Sequence, residues 1–331
     1  MSEQSDPHSI SRDSAASFGG PGWKQRSATH AQEIAAGLLW APYQVESEIG
    51  TLEAVLLAWP GPELDVGDHP DEQLMLGRVD VPEIQRQARA IGDFYRSRGV
   101  RVHLHRPSVA PPPNYVFMRD LFFMTPEGAV LGRPAGEQRA GEERWAAEAL
   151  ALAGVPILRT LRGGATFEGA DALWLSPRRV LLGTGVRTNA EGARQLSQLL
   201  QGMDVLVEQV ALPRTGVQHL LGVVNLLDHD LAAINGARSD GALLNRLEAL
   251  GIGAVVVPPG EELLDRRSNN FVTLAPREVV MPARCPATRT QLEARGVVCH
   301  ELEVSEYIKA AGALGCLTGI LSRERYQLTG S

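Results

Sequence analysis

At 331 residues, with 44% hydrophobic and 21% charged residues, the chain has the length and composition of a globular protein with a large core. Three cysteines argue against a disulfide framework and for a reducing, cytoplasmic setting. A net charge of −7 gives no support to nucleic-acid binding, and no apolar run approaches the roughly 20 residues of a membrane helix. The first 22 residues are rich in Ser, Gly, Asp and Pro and lack the apolar stretch of a secretory signal. They read as a loose arm, with an irregular lead-in up to residue 50.

Residues 52–59 form an apolar run closed by Pro60-Gly61-Pro62, which predicts a strand. Ile84, Ala88, Ile91 and Phe94 recur at helical spacing before Gly99 and predict a helix over 81–97. A short strand follows at 100–104, then a proline-rich loop. Residues 115–124 are read as a strand containing Asp120, with its hairpin partner at 129–132. A helix is expected over 137–153 and a strand over 155–158. The loop Gly163-Gly164 to Asp171 then feeds a strand that ends at Leu175 and pairs with 179–183. Next come a helix (190–200), a strand (204–210), a strand-like segment opened by His219 and its partner at 231–234. After these come a helix (243–250), a strand (254–257), a hairpin from Asn270 to Met281, a helix (288–295) and a strand (297–302). The chain closes on the glycine-rich, apolar turn around Cys316. There Gly312, Gly315 and Gly319 are expected to adopt backbone angles closed to other residues and to let a ligand approach.

Hairpin, helix, strand and a loop with one polar residue recur at intervals of roughly 50 to 60 residues, as repeated supersecondary units do. A ring of such units would gather their loops at one end of a central axis; an ordinary α/β sheet is the alternative. No linker interrupts residues 50–321, so residues 51–331 are read as one catalytic α/β domain.

Each chemical candidate has a bland reading. Cys316 suits a buried small hydrophobe, Arg119 and Asp120 a structural ion pair, and His219 a satisfied core histidine. Glu168 and Asp171, at a glycine-flanked junction of loop and strand, favour a site. No metal-binding spacing, phosphate loop or dinucleotide fingerprint is present. Together, one thiol, one imidazole and several carboxylates suit attack on a planar cationic carbon: carboxylates hold a guanidinium, the thiolate adds to its carbon and the imidazole moves protons.

The order of these motifs resembles the guanidino-group-modifying superfamily of arginine deiminases, dimethylarginine dimethylaminohydrolases and amidinotransferases. Phe117-Met118-Arg119-Asp120 is similar to the first acid motif. Phe167-Glu168-Gly169-Ala170-Asp171 resembles the Glu-Gly-Gly-Asp motif with Ala170 for the second glycine. Arg187-Thr188-Asn189, the segment 218–225 around His219 and the segment 313–318 around Cys316 resemble the dimethylarginine hydrolases.

The resemblance runs from about Leu52 to Leu321. It implies a five-bladed α/β propeller (pentein) that needs no metal or cofactor, acts on a small guanidino substrate and forms a homodimer. It implies Cys316 as nucleophile, His219 as general acid and base, and Glu168 orienting His219. Asp120, Asp171 and Asn270 would contact the substrate, and Arg133 and Arg187 would bind its carboxylate. The reaction implied is hydrolysis through a covalent thiouronium, giving a ureido product. Leu221, where deiminases and amidinotransferases carry an aspartate, favours the dimethylarginine-hydrolase branch; the Arg119-Asp120 pair favours the other. An amidinotransferase is the alternative enzyme, and a guanidine-binding regulator the non-enzymatic one. Cys285 and Cys299 are read as structural.

Overall fold

The computed structural model describes residues 11–239 and 241–325. The expected arm falls partly on residues 1–10, outside the described residues. The lead-in contains one two-turn helix, α1 (His30–Ala36), capped by Thr29 in a capping box. No helix among the described residues is long and apolar enough to cross a membrane.

The remaining elements form a repeated α/β pattern. In order they are β1 (Leu52–Ala58), α2 (Val81–Ser97), β2 (Arg101–His105), α3 (Met118–Leu121), β3 (Phe122–Thr125), β4 (Gly128–Leu131), α4 (Glu142–Leu152) and β5 (Ile157–Thr160). Then come β6 (Ala172–Ser176), β7 (Arg179–Thr184), α5 (Ala190–Gln201), β8 (Leu206–Ala211), β9 (Val224–Asp228), β10 (Leu231–Asn235), α6 (Gly241–Ala249) and β11 (Gly253–Val257). The chain ends with α7 (Glu261–Leu264), β12 (Val272–Ala275), β13 (Glu278–Pro282), α8 (Pro286–Glu293), β14 (Val298–Leu302), α9 (Ser305–Lys309), α10 (Leu314–Leu317) and β15 (Gly319–Arg323).

Five three-stranded sheets result: β15-β1-β2, β3-β4-β5, β6-β7-β8, β9-β10-β11 and β12-β13-β14. In each, the middle strand runs antiparallel to one neighbour and parallel to the other. The parallel step is made through a helix, as parallel pairing requires. Burial grades outward: β3, β9 and β15 are buried throughout, whereas β5 and β8 are largely exposed or half-buried. Strands covered on both faces read as continuous apolar runs, which is why the sequence displays them clearly. The sheet β15-β1-β2 joins the last strand to the first, with Val55 opposite Ile320 and Leu56 opposite Gly319.

Four expectations require correction. Residues 115–124 are not one strand: residues 113–116 form a 3-10 turn and α3 precedes β3, so Asp120 sits on a helical turn. The helix expected over 137–153 is broken at Gly141 (φ 97°), leaving a 3-10 turn over 137–139 ahead of α4. His219 does not open a strand but precedes a 3-10 turn over 220–222 that leads into β9. The turn around Cys316 is a one-turn helix. Its glycines at 312, 315 and 319 avoid positive φ; the left-handed residue nearby is Ala311 (φ 75°). Those glycines provide clearance. A Cβ at Gly312 would lie 2.1 Å from the Phe117 ring, and one at Gly319 would lie 2.7 Å from the Phe122 ring.

Candidate active site

Asp120, Glu168, His219, Asn270 and Cys316 occupy equivalent places. Each lies just ahead of the first strand of its sheet: β3, β6, β9, β12 and β15 respectively. Repetition of one unit thus brings residues spaced about 50 positions apart to one place. All five are buried.

Local structure fixes each one. Gly169 lets the Glu168 turn press against α3, since a Cβ there would stand 2.1 Å from the Phe122 carbonyl oxygen. The segment Arg187-Thr188-Asn189 braces the same turn. The Thr188 hydroxyl donates to Asp171 Oδ2 (2.6 Å) and accepts from the Glu168 N–H (3.3 Å). Asn189 caps α5 and accepts from the Thr166 N–H. The other oxygen of Asp171 accepts the Leu220 N–H (2.9 Å), tying the histidine turn to the glutamate turn.

His219 Nε2 is 2.7 Å from Glu168 Oε2, and Nδ1 is 3.7 Å from Asp120 Oδ1. Burial opposes the imidazolium, but the charges of Asp120, Glu168 and Asp171 outweigh it and raise the His219 pKa to about 9. Glu168 is held well below the ordinary carboxylate range. Burial opposes this, and Arg139, His219 and Arg187 override it. Burial raises Asp171 to about 6. The Cys316 thiol is raised above its ordinary value, first by burial and then by the Asp120 charge. The Ala313 backbone, Arg267 and Asn270 oppose that rise. Asn270 grips Cys316 twice: Nδ2 donates to Sγ (3.0 Å), and Oδ1 accepts the Cys316 N–H (3.2 Å).

The sequence reading missed Arg139. It is buried, and its Nη1 donates to Asp120 Oδ2 (2.7 Å) and to Glu168 Oε2 (3.0 Å), while Nε and Nη2 engage Glu142. In sequence, Arg139 and Glu142 look like an ordinary i,i+3 surface pair, so nothing marked them. Asp120, Glu168 and His219 present three ligand atoms within 4.8 Å of one another, close enough to hold a cation, and Arg139 supplies positive charge there. Asp120 Oδ1 is buried with no hydrogen-bond donor among the described residues.

The other expected residues fall differently. Arg187 donates to both Glu168 oxygens (3.3 Å) at the edge of a narrow pocket of about 20 Å³ that also touches Asp120, His219 and Cys316. Arg133 is exposed and donates to the Ala165 carbonyl (2.8 Å), outside the pockets that touch Cys316. Arg119 turns away from Asp120 to pair with Glu48 at 3.0 Å. A second, larger cavity of about 270 Å³ opens on the Asn270 side of Cys316 and His219. Cys285 and Cys299 are free and buried, with thiols raised by burial to about 12 and about 11.

The family model for arginine deiminase matches residues 80–240. The chain is similar to proteins named as arginine deiminases and dimethylarginine dimethylaminohydrolases. It is 27% identical to the N(G),N(G)-dimethylarginine dimethylaminohydrolase of Pseudomonas aeruginosa over 73% of this chain and 90% of that one. It is 28% identical to the arginine deiminase of Rhodococcus opacus over 65% of this chain and 62% of the relative. Among solved structures, the Pseudomonas aeruginosa enzyme as a mutant complexed with citrulline superposes with a TM-score of 0.68 at 24% identity, covering 83% of this chain and all of that one. An amidinotransferase of saxitoxin biosynthesis from Microseira wollei gives 0.70 at 16% identity, covering 88% and 99%. These two likenesses establish the α/β fold.

Proposed function

We propose that this protein is a hydrolase acting on the guanidino carbon of arginine, a methylated arginine or a related small guanidino compound. Its five sheets would be the blades of an α/β propeller forming one catalytic domain from residue 51 onward. The observation that carries the reading is the unpartnered Asp120 Oδ1. A buried carboxylate oxygen without a donor, close to a histidine and a thiol, suits a guanidinium N–H.

In this reading a bound guanidinium cation offsets the Asp120 charge and favours the Cys316 thiolate, which adds to the guanidinium carbon and forms the C–S bond. His219, already an imidazolium at neutral pH, gives its proton to the departing nitrogen as the C–N bond breaks and leaves a thiouronium. Neutral His219 then takes a proton from water. The oxygen adds to the same carbon, and C–S cleavage returns the thiolate and releases a ureido product. Glu168 and Asp171 act by holding His219, Asn270 by holding Cys316. Three free cysteines fit a reducing compartment. One observation favours transfer of the amidino group to an amine instead: the cavity of about 270 Å³ beside Cys316 is larger than a water needs.

The test is a product assay by mass spectrometry. The enzyme is offered arginine, methylated arginines, agmatine and guanidino acids, with and without glycine or ornithine. A ureido product with ammonia or a methylamine is expected. A new guanidino compound that forms only with the amine would replace hydrolysis by transfer. Cys316→Ser and His219→Ala should each abolish turnover while preserving the fold, and near wild-type turnover by either would end the mechanism.

A further inference from the structure

A third cavity, of about 20 Å³, is walled in part by Gly315 and Leu221, from the turns that follow Ala313 and His219. Each of the five sheets contributes to it: Arg119 from α3 ahead of β3, Leu173 from β6, Leu226 from β9, Val272 from β12 and Ile320 from β15. Every residue that lines it is buried.

The charges around this cavity do not balance. Its lining holds one carboxylate, Glu48, and two guanidiniums, Arg119 and Arg323. Glu48 is engaged with the first of them: both oxygens accept from Arg119 Nη2 (3.0 and 3.1 Å), and one also accepts the Trp174 N–H (3.3 Å). Arg323 is 4% exposed and forms no ion pair among the described residues. Its Nη1 donates to the Gly50 carbonyl (2.8 Å), and its Nε is buried without a hydrogen-bond partner. Glu48 attracts the Arg323 charge and Arg119 repels it. Arginine stays protonated at neutral pH, so one positive charge is in excess. Tyr95 does not offset it. Burial raises the phenol and keeps it neutral, and its hydroxyl shares a hydrogen bond with Thr318 Oγ1 (2.9 Å) on the cavity wall. A buried charge without a counter-charge is costly, and so is a buried donor without an acceptor.

We infer that this cavity is a binding site for one monatomic anion of the halide class, which accepts from the Arg323 Nε–H and balances the excess guanidinium charge. Size sets the class. A single water needs about 10–15 Å³ of such space. A cavity of about 20 Å³ therefore takes a chloride and not the several heavy atoms of a carboxylate or a phosphate. A water there would satisfy the donor and leave the charge uncompensated. The site goes beyond the proposed function and does not depend on it, since neither Cys316 nor His219 lines the cavity.

Diffraction reads the site directly. Crystals of the whole chain grown with sodium bromide in place of chloride, and measured at the bromine absorption edge, should show an anomalous peak within hydrogen-bond reach of Arg323 Nε. Bromide found only on the outer surface, with a water or nothing in the cavity, overturns the site. A second reading is taken in solution. At fixed ionic strength, with sodium gluconate replaced stepwise by chloride, the melting temperature should rise by about 2 °C for each tenfold increase in chloride above the dissociation constant. General salt effects act on every variant alike. R323M removes the excess charge and the orphaned donor together, so it should lose the chloride response. R323Q removes the charge but keeps a donor, and should lose most of the response; it serves in place of R323M if circular dichroism shows that R323M does not fold. An equal chloride response in the wild type and the folded variant overturns the anion. Turnover of guanidino compounds enters neither reading, so failure of the proposed function and failure of this site are separate results.

Discussion

The charges of Cys316 and His219 decide how the site responds to pH. His219 is raised to about 9, so its paired imidazolium contributes stability in full below the ordinary histidine pKa near 6.5. That contribution is lost as pH rises through about 9. The shift corresponds to on the order of 3 kcal/mol, shared with Glu168 as one interaction. The melting-temperature difference between wild type and H219Q should therefore be largest near pH 6 and shrink toward pH 9.5; a constant difference would mean that the imidazole is neutral. The thiol behaves in the opposite sense. Burial and Asp120 hold Cys316 protonated in the empty site, so kcat/KM should climb steadily from pH 6 to 8 as thiolate forms. A flat profile over that range would mean a preformed thiolate, with Arg267 and Asn270 dominating over Asp120.

Each side chain that converges on the site is delivered by a short turn ahead of a buried strand, and those turns depend on close backbone approach. A Cβ at Gly169 would meet the Phe122 and Arg119 carbonyl oxygens at 2.1 and 2.6 Å, and neither can yield without moving α3 and Asp120. Gly169→Ala should cost about 2–4 kcal/mol by urea denaturation, whereas Gly164→Ala, with nothing within 4 Å, should stay within about 0.5 kcal/mol. Equal effects would mean that the turn is not tightly packed. The same turns mark the limit of what the sequence discloses. The long helix α2 and the hairpins are plain because their periods of 3.6 and 2 run for several residues. Met118–Leu121 and Leu314–Leu317 are four residues each, too few to separate one helical turn from a strand. The motif residues Asp120, Glu168, His219 and Cys316 could be named through their resemblance to known motifs. Arg139 could not, because an arginine in a polar loop looks the same whether it faces solvent or a buried carboxylate.

Among the described residues the first and last strands are joined, and the joint runs through a residue of the lead-in. Glu48 accepts from Arg119 Nη2 with both oxygens (3.0 and 3.1 Å) and from the Trp174 N–H (3.3 Å), and its charge also acts on Arg323. Arg323, at the end of β15, is pulled down to about 10 by burial, with Glu48 opposing and Arg119 adding to that fall. Arg323 Nη1 donates to the Gly50 carbonyl, and the Glu324 N–H donates to Thr51, so the lead-in, β1 and β15 close on one another. Cys316 sits just ahead of β15, and Asp120 directly follows Arg119; one ion cluster therefore lies behind both the nucleophile and the acid. Removing Glu48 leaves two buried guanidiniums without their counter-charge, the situation in which loss of one partner is most expensive. Glu48→Ala should destabilise the protein by about 3–5 kcal/mol, and Arg119→Met added to it should recover a substantial part by removing one stranded charge. Chemical denaturation of the single and double variants gives the answer. Recovery in the double variant identifies uncompensated charge as the cause, whereas additive losses would mean that Glu48 and Arg119 contribute by packing alone and that closure of the chain rests on the β1–β15 pairing.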